Sequence, residues 1–211
     1  MSVERFTADL VRVIMTRAKN TDDGPGTFIG HAAVFNTRAA IGDPASWGFW
    51  EEIDSGAFSR SLAEKQDVRF LVDHDPSRLL ARTSSGTLDL STDRKGLVTE
   101  AGLPDTTLGR DTRVMIDRGD LSQMSFGFIP TAVEWSLLDD NTELLRILDL
   151  DLFDVSVVTF PAYEETDATV RSRVEALRRS NPLARRRHDD AKARFEKLRP
   201  PDGPTRIERN A

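Results

Sequence analysis

Apolar and polar residues alternate with a period of two in a succession of short stretches along the first 160 positions, and this limits the possible folds more than any other feature. Strands are expected over about Arg5 to Met15, over "TFIGHAAVFN" from Thr27 with Gly30 placed for a bulge, and over "DVRFLVDHD" from Asp67. The Asp67 strand should end at Asp75-Pro76, a turn initiator. "SGTLDLSTDRKGLVTEAGLP" reads as a hairpin turning at Asp93-Arg94-Lys95-Gly96. Further strands follow in "DLSQMSFGF", "TAVEWSLL" and "LLRILDLDLFDVSVVTFP", with a loop at Pro161. Residues 37–54 look irregular, with Trp47 and Trp50 packed beneath that loop. Helical spacing occurs twice in this region. One stretch is "DSGAFSRSLAEK", capped by Asp54 or Ser55; the other is "DTTLGRDTRVMIDRGD", capped by Asp105 or Thr106 and stopped by Gly119. Many strands and few helices predict an α+β fold, with a mostly antiparallel β-barrel-like core and peripheral helices.

Charge divides the chain. Residues 171–199 carry eleven Lys/Arg against four Asp/Glu, which leaves residues 1–170 with a net charge of −13. We therefore expect a domain over 1–166 and a charged, basic helical tail over 167–211, broken at Asn181-Pro182 and ending in a flexible C-terminus. An acidic body is a poor nucleic-acid binder, whereas the tail has the charge for nucleic acid or an acidic partner. No apolar run reaches membrane-spanning length, and the N-terminal stretch lacks the apolar core of a secretory signal. The chain has no cysteine, so disulfides, thiol nucleophiles and zinc-thiolate sites are excluded within it.

Three histidines occur: His31 in an alternating strand, His188 in the tail, and His74 at the end of an apolar strand just before a turn. A two-histidine zinc site would need His31, His74 and an acid, and the spacing gives no support for one. Ser125, in Met124-Ser125-Phe126-Gly127-Phe128, is a small hydroxyl in an otherwise buried strand, and by itself it reads equally well as a structural serine. A hydroxyl becomes a useful nucleophile when a base takes its proton, and His74 is the candidate base. The base in turn needs a carboxylate to orient it. Asp149, Asp151 and Asp154 precede the apolar strand Val155 to Phe160, and Asp73 and Asp75 flank His74. Strict alternation places Asp154, Ser156 and Val158 on one face, where a carboxylate is costly to leave unpaired. Gly127 leaves room for a close approach to the Ser125 strand.

Taken in order, "GHAAVFN", "IDSGAF", "LVDHD", "SGTLDLSTDRKGL", "DLSQMSFGF" and "FDVSVVTFPAY" resemble the prohead (capsid-maturation) serine proteases of tailed phages, from about Gly30 to Tyr163. That family is similar in fold to the herpesvirus assembly proteases. The resemblance implies a serine endopeptidase with Ser125 as nucleophile and His74 as general base, and Asp154 lies in the strand expected to supply the third member. It also implies oxyanion donors among the backbone N–H groups after Phe160, and no cofactor or metal. The implied substrates are the scaffolding protein, or a scaffold segment of the major capsid protein, and the enzyme itself. Such an enzyme would work in the host bacterial cytoplasm, inside the assembling procapsid, as a homodimer or higher oligomer where relatives behave so. The competing reading is a non-catalytic capsid-assembly or scaffold protein on the same fold.

Overall fold

A computed structural model describes residues 4–6 and 26–159. In chain order the elements are β1 (Glu4–Phe6), β2 (Thr27–Val34), β3 (Ala39–Ile41), β4 (Phe49–Ile53), α1 (Ser59–Ala63), β5 (Arg69–Val72), β6 (Asp75–Arg82), β7 (Leu88–Thr92), β8 (Gly96–Gly102), α2 (Thr107–Arg118), β9 (Gln123–Leu137) and β10 (Glu143–Val158). They form two sheets. The larger runs β1-β9-β10-β4-β3, with β5 also paired to β10 and β6 paired to β5; the smaller is β2-β8-β7.

The sheets do not close into a barrel, which corrects the barrel-like core expected from the strand content. Closure needs the last strand to hydrogen-bond to the first, and among the described residues β1 and β3 end the large sheet without meeting. The organising element is β10. One of its edges pairs antiparallel with β9 over nearly its whole length. Its other edge is shared by two shorter parallel partners, β4 along Leu144–Ile147 and β5 along Asp154–Val157. Most of the pairing is antiparallel, as alternation predicts, but these two parallel pairs flank the middle of the sheet.

Inward-facing side chains of the two sheets supply the core. Phe28 of β2 lies against Phe70 of β5 at 4.9 Å between ring centroids, and Phe58 packs edge-on to Phe126 of β9 at 5.6 Å. Phe126 stacks on Phe128 at 5.0 Å, with Met124, Leu97, Leu150 and Leu152 buried around them. Each such ring contributes about 2–3 kcal/mol by leaving water, which makes β9 a rigid platform.

Several local expectations hold. The hairpin forms as β7 and β8. Of the two possible caps for α2, Thr106 is the one used: its side chain accepts from the Gly109 N–H, and Gly119 ends the helix at φ 84°. Other expectations are corrected. In β2 the register shift falls between His31 and Ala33 rather than at Gly30. α1 is only five residues long and has no side-chain cap; Asp54 instead accepts from the Gly56 N–H in the preceding turn. The irregular stretch contains β3 and β4, with Trp47 packed against the core. A strand, β6, follows His74, and the segments "DLSQMSFGF" and "TAVEWSLL", expected as separate strands, form one continuous β9. Most of the Arg5–Met15 strand, the Pro161 loop, His188 and the basic tail lie outside the described residues.

Asp93 ties the hairpin to β2. One carboxylate oxygen accepts from the Lys95 and Gly96 N–H groups, and the other bonds His31 Nε2 at 2.9 Å. The His31 hydrogen bond, followed by that from Gly96, lowers the Asp93 pKa to about 2. A depressed carboxylate contributes stability that is present above its unfolded value and lost as pH falls through its folded one. Asp93 is half exposed, so the contribution is small. Asp93→Asn is expected to lower Tm by about 2 °C near neutrality, and the gap from wild type should close as the pH is taken from about 4 to about 2. Thermal denaturation across that range checks it; a gap that stays constant would contradict the assignment.

Candidate active site

Two strands build the floor of the site. In the β9–β10 ladder Ser125 stands opposite Ser156, and Gly127 stands opposite Asp154. A register shift between Leu152 and Asp154 adjusts the phase of β10 just before this square of four residues. Because side chains alternate between faces, all four positions share one face of the sheet. The empty position at 127 is occupied by its neighbour: a Cβ there would lie 2.2 Å from Asp154 Oδ2. The close approach expected at Gly127 is thus made by the Asp154 carboxylate, which leans across the ladder.

His74 arrives from the other edge of β10. β5 runs parallel beside Asp154–Val157, and the chain then turns back over the square. Asp73 and His74 make this turn with φ of 54° and 56°, and the Asp73 N–H donates to the Val157 carbonyl at 2.9 Å. Two successive non-glycine residues in the left-handed region cost of the order of 1–3 kcal/mol each, so the surrounding contacts must hold them there.

The turn brings the imidazole between the other two groups. His74 Nδ1 is 2.5 Å from Asp154 Oδ1, and His74 Nε2 is 2.7 Å from Ser125 Oγ. An ionised carboxylate only accepts, so Nδ1 carries the proton, and Nε2 is left to accept from the Ser125 hydroxyl. Ser156 Oγ donates to the same Asp154 oxygen at 2.8 Å. Ser125 and Ser156 are fully buried, and His74 and Asp154 are nearly so. Water screens these interactions little, and each is stronger than it would be at the surface.

The remaining acids have other partners. Asp149 and Asp151 pair with Arg60 of α1 at 2.7 and 2.8 Å, and Ser61 donates to the Leu150 carbonyl, so this group fastens α1 to β10. Asp75 accepts from the Ser77 hydroxyl and N–H, which lower its pKa. Asp73 accepts from Thr159 and Arg78. His31 is held by Asp93 and does not join His74. Among the described residues, no group of three or more His, Asp or Glu side chains is arranged to hold a metal ion. Sequence reasoning placed Ser156 on the Asp154 face but missed its hydrogen bond, and it missed the left-handed turn at Asp73-His74, although Asp and His enter that region more readily than most residues.

A hydroxyl and a carboxylate on neighbouring strands, joined in hydrogen-bonded series by an imidazole from the adjacent turn, is the arrangement with which serine hydrolases carry out acyl transfer. The chain belongs to the Caudovirus prohead serine protease family, whose model matches residues 13–180. It is thus a protease of phage capsid maturation. Among solved structures it matches the bacteriophage T4 capsid assembly protease, gp21, at 8% identity and a TM-score of 0.41, over 74% of this chain and 94% of that one. A comparison with curated proteins gives no match.

Proposed function

We propose that the chain is a serine endopeptidase in which Ser125 is the nucleophile, His74 the general base and Asp154 the orienting acid. Its substrates are the scaffolding protein, or a scaffold segment of the major capsid protein, and its own chain. The observation that carries the reading is the unbroken series Asp154–His74–Ser125, with hydrogen bonds of 2.5 and 2.7 Å. A binding or scaffold protein has no use for a buried imidazole held between a hydroxyl and a carboxylate, because desolvating three polar groups is costly and brings it no gain.

In the first half-reaction Nε2 accepts the Ser125 proton as Oγ attacks the scissile carbonyl carbon. The resulting imidazolium is stabilised by Asp154, which keeps its proton on Nδ1 throughout. Collapse of the tetrahedral intermediate breaks the C–N bond, and Nε2 returns its proton to the leaving amine. Water, deprotonated by the same nitrogen, then attacks the acyl carbon, and collapse breaks the C–Oγ bond as Nε2 returns the proton to Ser125 Oγ, releasing the acid product. Since Ser125 is buried, productive binding requires what covers Oγ to move aside. The oxyanion donors we assign to backbone N–H groups after Phe160; the Thr159 N–H is taken by Asp73. Each such donor is worth about 2–4 kcal/mol in the transition state.

The site of action is the assembling procapsid within the host bacterial cytoplasm, with residues 1–166 as the catalytic domain and 167–211 as a basic arm. Incubating the full chain with its phage's scaffolding and major capsid proteins tests the reading. Discrete fragments should appear, a serine-directed phosphonate should stop them, and a chelator should not. Stable association without any cleavage would favour the non-catalytic scaffold reading instead.

A further inference from the structure

Nothing in the mechanism explains why the residue before His74 is a carboxylate with both oxygens engaged. Asp73 Oδ1 accepts from the Thr159 N–H at 2.6 Å, and Oδ2 accepts from the Thr159 hydroxyl at 3.1 Å and from Arg78 Nη1 at 3.0 Å. Its own N–H reaches back to the Val157 carbonyl. One residue is therefore fastened to the end of β10 through its backbone and its side chain, and to β6 through Arg78. Thr159 stands three residues beyond Ser156, at the end of the strand that supplies Asp154. The carboxylate thus sets His74 in register with the strand carrying its partner.

We propose that Asp73 is a positioning residue for the imidazole, a role that rests on the catalytic reading of His74. Asp73 and His74 form the two-residue turn of the β5–β6 hairpin, with Val72 opposite Asp75, so the hairpin sets the turn itself, while the Asp73 side chain ties that turn to the end of β10. Asp75 pins the far side of the turn through Ser77, but that contact lies after His74 and does not reach β10. A small rotation at residue 73 swings the ring away from Ser125 Oγ or Asp154 Oδ1, and proton transfer is steeply sensitive to such displacements.

Three variants separate the clamp from the fold. Asp73→Ala removes the carboxylate. Asp73→Gly also removes it but fits φ 54° without strain, so its Tm should fall less than that of Asp73→Ala. Asp73→Asn keeps an acceptor for the Thr159 N–H, but its amide nitrogen replaces Oδ2, so the bond from Arg78 is lost and the Thr159 hydroxyl must turn to accept. For Ala and Gly, kcat on a peptide substrate is expected to fall roughly 10- to 100-fold with KM within about threefold, and Asn should recover most of it. Low-field proton NMR supplies a reading independent of turnover. The Nδ1–H resonance of His74, assigned by its absence in Asp154→Asn, should be lost or broadened in Ala and Gly and retained in Asn. If Ala and Gly keep both turnover and the resonance while Ser125→Ala is inactive, the positioning role is wrong and the catalytic reading stands. If Ser125→Ala is as active as wild type, the catalytic reading itself has failed. A parallel fall in Tm, kcat and resonance in all three variants would reduce Asp73 to a structural contact.

Discussion

Alanine at position 125 is expected to leave a folded protein whose peptide cleavage falls by roughly 10⁴- to 10⁶-fold. The fold should survive because Ser125 makes its identified bond to another side chain of the site, and the core beneath it consists of Phe126, Met124 and Phe128. Activity should not survive, since among the described residues no other hydroxyl has the same relation to the imidazole. Ser156 is the nearest alternative, but its hydroxyl is spent on Asp154 and lies 3.4 Å from Nδ1, on the wrong side of the ring. His74→Ala should lose about as much by itself, and the double variant hardly more, because the two groups act in one step. Losses that simply added would mean that the two side chains contribute independently, contrary to the mechanism.

Gly127→Ala is the second large effect, and it comes from one added methyl group. Its Cβ would meet Asp154 Oδ2 at 2.2 Å and Cγ at 3.1 Å, far inside ordinary contact. Gly127 is not left-handed, so alanine carries no backbone penalty there. Either the carboxylate swings away, breaking its bonds to His74 and Ser156, or β9 and β10 separate locally. We expect about 1–3 kcal/mol of destabilisation, together with a loss of activity of at least about 100-fold from the displaced imidazole. A double-mutant cycle isolates the cause. In an Asp154→Ala background the clash is gone, so Gly127→Ala should cost almost nothing more in stability or rate. An equal cost in both backgrounds would place the effect elsewhere.

The parts of this molecule that could be read from its sequence are those set by local chemistry. Thr106 and Gly119 bound α2 because a hydroxyl and a left-handed glycine are the usual helix ends. Alternation placed Asp154 and Ser156 on one face, and they share it with Ser125 and Gly127 across the ladder. Other features depended on partners far away in the chain. Alternation marks a strand but not its neighbours, so the shared edge of β10 and the open sheet were out of reach. β6 was hidden by Pro76, which an edge strand tolerates because the missing N–H need not face a ladder. Pro130 divided β9 on paper in the same way. It sits beyond the described β1 pairing and beside a register shift in β10, where one missing donor is easily accommodated. The left-handed pair at Asp73 and His74 is the two-residue turn of the β5–β6 hairpin, hidden because β6 was not expected, and its tie to the end of β10 joins it to Val157 and Thr159, far along the chain.

The most direct test of the central claim is intact and peptide mass analysis of the protein after exposure to a phosphonylating serine reagent. The account predicts a single adduct on Ser125 in wild type, abolished in His74→Ala even though the serine remains. An adduct on another residue, or equal labelling of Ser125 with and without His74, would contradict it.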